Sequence, residues 1–317
     1  MKTMRGWSFM LAKVGHGYSP GQRDAAPPRW NNPSSTYLIA MEEFSWKNEQ
    51  GLQIYAVDWK TANPRAVVGI IHGLGEHCRR YDGLAAFLNA RGIAVIGYDR
   101  QGFGRSEGRR GYTPDYRNYL DGVAQLRVQC EKRYPRAPVF LYGQSMGGQL
   151  LLHYLIHRKP AIRGAIVASP HIAEAFRPNP LVVAIGKLMR RLSPTFSLHN
   201  QLDPQDLSRD PAVVEDFRND PHNHDRLSSQ TGIDMLERAA FLQQYAGGLP
   251  VPTLLLHGTG DRVTSHAATA DFARRNPEHV TFHSFPGAYH ELHHEPDREK
   301  FHFLVLGWLN RHIKGTK

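Results

Sequence analysis

The sequence predicts an α/β fold: a mostly parallel central sheet with helices on both faces and a helical insertion between its strands. Three observations carry this. Short continuous apolar runs alternate with amphipathic stretches along most of the chain. One such run, Val139-Phe140-Leu141-Tyr142, breaks off at Gly143-Gln144-Ser145-Met146-Gly147 and passes directly into a helical pattern. The strand pattern then lapses over residues 171–248 before it resumes.

Taken in order, residues 1–36 are rich in Gly, Pro, Ser and Arg and read as an extension without a core of its own. Phe44–Lys47 and Leu52–Trp59 read as an antiparallel pair joined by the turn Asn48-Glu49-Gln50-Gly51. Val67–His72 is a continuous apolar strand, Tyr81–Ala90 an amphipathic helix and Ile93–Asp99 a second buried strand. A long helix follows over about Asp115–Tyr134. After the elbow strand, Gln149–Arg158 sets Leu150, Leu151, Tyr154 and Leu155 on one helical face, and Ala165–Ser169 is again a strand. Val251–His257 and His279–Ser284 resume the strand character, and Asp297–His312 closes the chain as a helix. The predicted organisation is therefore an extension (1–36), a core from 37–170 and 249–317, and a helical cap (171–248).

With 41% hydrophobic residues and 21% charged, the 317-residue chain has the composition of an ordinary globular protein. No run approaches the roughly 20 apolar residues that cross a bilayer. Near the N-terminus, Lys13 interrupts the apolar stretch Trp7–Leu11, and no small-residue cleavage site follows, so a non-exported, cytoplasmic chain is expected. Cys78 and Cys130 form neither a disulfide framework nor a metal pattern. The net charge of +10 is spread over short clusters at Arg79-Arg80, Arg109-Arg110 and Arg190-Arg191 with no nucleic-acid motif, so no nucleic-acid partner is expected. None of the 18 histidines stands in a metal-binding spacing, and the adjacent His293 and His294 are expected to point apart, so no metal or other cofactor is predicted.

The window Gly143–Gly147 has the form of a nucleophile elbow, with a serine on a tight strand-to-helix turn that needs glycine two residues to either side. A serine hydroxyl needs a base, and the base an orienting carboxylate. Both follow in order at predicted strand ends: Asp261 in Leu254-Leu255-Leu256-His257-Gly258-Thr259-Gly260-Asp261, and His290 in Phe285-Pro286-Gly287-Ala288-Tyr289-His290. Two backbone donors for an oxyanion are expected at Met146, after the serine, and at Leu74, in the glycine-rich loop His72-Gly73-Leu74-Gly75-Glu76-His77. Asp99 precedes the serine and is assigned a loop-stabilising role.

Over about residues 42–313 these motifs resemble the monoacylglycerol lipase and lysophospholipase branch of the α/β-hydrolases, grouped with the serine-aminopeptidase-like hydrolase domain. The resemblance lies in His72–His77, in Asp99–Gly108 with Arg110-Gly111-Tyr112, in Gly143–Gly148, in Gly287–Leu292 and in the stretches Leu202–Pro204 and Leu207–Pro211. It implies an α/β-hydrolase fold, Ser145, Asp261 and His290 as catalytic triad, and the amides of Leu74 and Met146 at the oxyanion. Gln144 departs from the histidine that many relatives carry there. The implied substrate is monoacylglycerol or a similar lipid ester. A lysophospholipid, a small ester, an aminopeptidase-type substrate or a non-catalytic binding role are the alternatives. In the cap, Phe176, Leu181, Val182, Val183, Ile185, Leu188, Met189 and Leu192 cluster beside Lys187, Arg190 and Arg191. This reads as cap core, or as a surface meeting an acyl chain or an anionic membrane, with Leu181, Val182, Ile185, Leu188 and Met189 as candidate substrate contacts.

Overall fold

A computed structural model describes residues 40–200 and 202–313; the predicted extension over residues 1–36 lies outside them. In chain order come β1 (Met41–Lys47), β2 (Gln53–Trp59), β3 (Ala66–Ile71), α1 (Asp82–Asn89), β4 (Ile93–Tyr98), α2 (Tyr116–Arg133), β5 (Val139–Gln144), α3 (Met146–Arg158) and β6 (Gly164–Ala168). The inserted segment carries α4 (Pro180–Leu192), β7 (Ser197–His199), α5 (Pro211–Asn219), β8 (Arg226–Ser228) and α6 (Ser229–Gln244). The chain returns with β9 (Thr253–Gly258), α7 (His266–Arg275), β10 (Val280–Phe285) and α8 (Arg298–Ile313).

The eight long strands form one sheet in the order β1-β2-β4-β3-β5-β6-β9-β10, antiparallel at β1–β2 and β2–β4 and parallel elsewhere. Along β3, Val67 and Ile71 enter one apolar layer with Leu126, Leu150 and Phe272. Val68 and Ile70 enter the other, with Tyr81, Leu84, Val305 and Trp308. Burial on both faces explains why the inner strands β3, β4, β5, β6 and β9 read as unbroken apolar runs, whereas the edge strands β1 and β10 alternate. From β3 the chain steps outward to β4 and then crosses to β5 on the other side. The strand order thus reverses between β3 and β5, and the carboxyl ends of strands at such a switch point are the usual place for a ligand in these sheets.

Two elements depart from the sequence reading. The stretch read as helical holds a small antiparallel ribbon, β7–β8; strands of three residues are too short for an alternation to show. The structure also has a helix, α7, where none was expected. Its first turns are His266-Ala-Ala-Thr-Ala, small side chains that blur the apolar period, and Ser265 caps it by accepting from the Ala268 amide at 3.2 Å.

Candidate active site

The sharp end of β5 sets Ser145 at φ 54° and ψ −118°, one residue before α3 begins. A non-glycine residue there is strained, and its surroundings hold it in place. Ser145 N–H donates to the Ala168 carbonyl at 3.0 Å, and its own carbonyl accepts from Gln149 and His171 amides at 3.0 and 3.1 Å. The flanking glycines are obligatory for space. A Cβ on Gly147 would stand 2.1 Å from the Ile71 oxygen, and one on Gly143 would stand 2.5 Å from the Gly147 oxygen.

The loop after β3 passes beside this turn: a Cβ on Gly73 would lie 3.4 Å from Ser145 Cβ. Its course is dictated by two buried side chains. Glu76 Oε1 accepts from the Gly73 amide at 2.5 Å. The Arg100 guanidinium donates to the carbonyls of His72 and Gly73, the latter at 2.7 Å. In a trans peptide the N–H points opposite to the carbonyl, so holding the Gly73 oxygen on Arg100 turns the Leu74 N–H to the other side of the loop. Asp99 stabilises the neighbouring loop through the amides of Cys78 and Arg105, each at 2.8 Å.

Asp261 and His290 meet directly, with His290 Nδ1 2.8 Å from Asp261 Oδ2 and both side chains buried. The carboxylate only accepts, so the proton sits on Nδ1 and Nε2 is left as the basic nitrogen. Asp261 Oδ1 is anchored by the Val263 and Thr264 amides at 2.8 and 3.0 Å. Burial pushes the Asp261 carboxyl up, but the facing His290 and His257 outweigh it and hold it well below the usual range. Burial likewise works against charging His290, yet the Asp261 carboxylate raises it above the ordinary histidine value. Gln144, next to the serine, donates through Nε2 to the His290 carbonyl at 3.0 Å and so ties the elbow to the histidine loop.

Behind these loops lies a buried ionic cluster that sequence reasoning missed. Arg80 Nε donates to Glu76 Oε2 at 2.9 Å, and its Nη2 pairs with Glu291 Oε2. Glu76 also takes the Tyr81 hydroxyl at 2.8 Å, and Glu291 takes His294 Nδ1 at 2.7 Å. The expectation that His293 and His294 point apart is corrected. Their rings converge at 4.1 Å, because the chain there turns in a tight 3₁₀ helix over Leu292–His294. Glu291, His293 and His294 offer ligand atoms within 4.8 Å of one another. Arg80, however, already puts a positive charge on Glu291 and lies 3.2 Å from His294 Nδ1, which opposes a cation there.

The five residues of the inserted segment named from sequence divide. Leu181, Ile185 and Leu188 are exposed at 66%, 45% and 55% and, with Leu192, form one outward stripe. Val182 and Met189 are half-buried on the flanks. Arg190 is fastened to Glu237 of α6 by two 2.8 Å bonds.

The family described as "Serine aminopeptidase, S33" matches residues 62–297. The monoglyceride lipase of Rattus norvegicus is 32% identical over 252 residues, 78% of this chain and 83% of that protein. An uncharacterized abhydrolase domain-containing protein of Dictyostelium discoideum is 34% identical over 80% of this chain, which spans 27% of that longer protein. The crystal structure of Paleococcus ferrophilus monoacylglycerol lipase aligns with a TM-score of 0.75 at 32% identity, covering 82% of this chain and 99% of its own.

Proposed function

The chain belongs to the serine aminopeptidase S33 family of hydrolases, and we propose that it is a serine ester hydrolase that cleaves monoacylglycerol or a similar single-chain lipid ester. The observation that carries this reading is the 2.8 Å Asp261–His290 contact tied by Gln144 to a serine held on a strained elbow. The lipases among its relatives support the substrate class.

Ser145 Oγ attacks the ester carbonyl while His290 Nε2 takes its proton. Asp261 fixes the imidazole and stabilises the imidazolium. The amides of Leu74 and Met146 receive the developing oxyanion, worth about 3–4 kcal/mol per donor. The alcohol leaves with the proton from His290, and water then releases the acid by the same steps in reverse. His290 acts as base only when neutral. Because its value is raised, kcat/KM is expected to fall as the pH drops through a midpoint above 6.5. A pH–rate profile with a soluble ester checks this, and a midpoint below 6 would contradict it.

Residues 171–248 act in this reading as a cap that selects the acyl chain. The stripe Leu181–Ile185–Leu188–Leu192, with the exposed Lys187 and Arg191 beside it, meets an anionic membrane surface, where apolar insertion and charge attraction add. No helix among the described residues is long and apolar enough to cross a membrane. The free, buried Cys78 and Cys130 support a reducing, cytoplasmic location.

The test is a substrate series of monoacylglycerols, lysophospholipids, short nitrophenyl esters and peptide amides, with and without anionic vesicles. Monoacylglycerol should lead. Preferential turnover of lysophospholipid would move the assignment to a lysophospholipase, and turnover confined to amides would overturn it. Leu188→Asp should cut activity on vesicle-borne substrate by roughly ten- to a hundredfold, the worth of one buried leucine, while hydrolysis of a short soluble ester stays unchanged.

A further inference from the structure

Asp261 is served by two histidines. The second, His257 on β9, is fully buried, and its Nε2 lies 3.0 Å from Asp261 Oδ2, the same oxygen that faces His290 Nδ1. His257 Nε2 also faces the Thr264 carbonyl at 3.2 Å. Neither of these carries a proton, and the Thr264 hydroxyl, 3.4 Å from Nε2, has nearer acceptors in Asp261 Oδ2 and the Ser169 carbonyl, so the hydrogen sits on Nε2. His257 Nδ1 faces the Thr269 hydroxyl of α7 at 2.9 Å and accepts from it. Around it β9 is apolar, Leu254, Leu255 and Leu256 being buried. A leucine at position 257 would fill the strand without the cost of burying a polar ring.

Orientation of the carboxylate does not require this ring. Two backbone amides hold Oδ1, and the Thr264 hydroxyl lies 3.0 Å from Oδ2. What His257 adds is an N–H donor on the very oxygen that His290 uses. A donor there spreads the negative charge of Oδ2 and weakens its pull on the imidazolium.

We propose that His257 is a positioning residue for the acyl-transfer reaction: by sharing Asp261 Oδ2 it sets how strongly the carboxylate favours the protonated form of His290, and so the pH at which the base works. This rests on the reading of Ser145, Asp261 and His290 as the working triad. The other titratable groups around the pair are few. His266 of α7 lies edge-on to His257 at 5.7 Å and is bonded to Ser284 Oγ at 2.8 Å. The charges of Glu291 and Glu76 act on His290 from the neighbouring loops.

The experiment compares His257→Leu, His257→Asn and His257→Gln in the full chain. It measures the pH profile of kcat/KM on a short nitrophenyl ester, with thermal unfolding alongside. Removing the donor should move the acid limb up by about half a pH unit to one unit, a roughly three- to tenfold loss below the midpoint, as expected for one hydrogen bond to a charged group. Asn, whose amide matches the Nδ1 side of the ring, should shift like Leu. Gln places an N–H where Nε2 was and should keep the wild-type midpoint, so the Asn–Gln contrast decides the matter even if Leu fails to fold. A wild-type midpoint in a folded Leu or Asn variant, or a Gln variant that shifts as far as Asn, overturns the proposal. Asp261→Asn separates the two readings. If it retains activity, the triad reading is wrong; if it abolishes activity while the Asn and Gln midpoints agree, only the role of His257 is wrong.

Discussion

Ser145→Ala is expected to lower kcat for ester hydrolysis by about 10⁴–10⁶-fold, the usual consequence of removing an acyl-enzyme nucleophile, with little change in folding. Alanine keeps the Cβ, and the elbow is held by backbone bonds from Ala168, Gln149 and His171 that do not involve the hydroxyl. A small residual rate should remain, since the amides proposed to receive the oxyanion are untouched. Steady-state kinetics and circular dichroism test this together. A fluorophosphonate probe should add one label at Ser145 in the wild type and none in the variant. A folded variant retaining more than a hundredth of wild-type activity would remove Ser145 from the reaction, and the Asp261–His290 pair would have to serve another nucleophile.

The second large effect is on stability. Arg80→Met keeps the stem length but leaves Glu76 and Glu291 facing each other in the interior without their cation. Breaking a buried ion pair from one side costs about 3–5 kcal/mol, because the orphaned charges remain desolvated. At about 2–4 °C per kcal/mol for a chain of this size, the melting temperature should fall by roughly 10 °C. Arg80→Lys should recover only part of this, since one ammonium cannot reproduce the fork that holds both carboxylates. Activity should drop as well, because Glu76 also positions the Gly73 amide. Burial pushes the Glu291 carboxyl up, but the Arg80 charge prevails and holds it below its ordinary value of 4.5. The stability it contributes is therefore present above that value and lost as the pH falls further into the acid range. Thermal unfolding of both variants at neutral pH is the check, and a loss under 1 kcal/mol for Arg80→Met would contradict the cluster's role.

Much of this site is written locally. The elbow at Gly143–Gly147 is legible because its constraint spans five consecutive residues: glycines must stand where any Cβ would strike the Ile71 and Gly147 carbonyls. Asp261 is legible because it follows the buried apolar strand β9, and His290 because it follows the alternating strand β10, each strand running into a glycine-bearing loop. The ribbon β7–β8 and helix α7 were not legible, the first because three-residue strands carry no period, the second because its small residues hide one. His257 left a faint trace, a polar residue closing the buried run Leu254-Leu255-Leu256, but its meaning depends on a carboxylate folded back against it.

The sequence by itself determined the sheet, the order in which Ser145, Asp261 and His290 follow strand ends, and the glycines that let the turns close, since all of these depend on neighbours along the chain. Tertiary structure alone decided which polar groups meet in the interior. Asp261 lies between His257 and His290, Arg80 between Glu76 and Glu291, and Gln144 against the carbonyl of His290. Such contacts join residues up to 211 positions apart. They exist only once the sheet has fixed where each loop ends, and burial then makes each unpaired charge or amide too costly to leave alone.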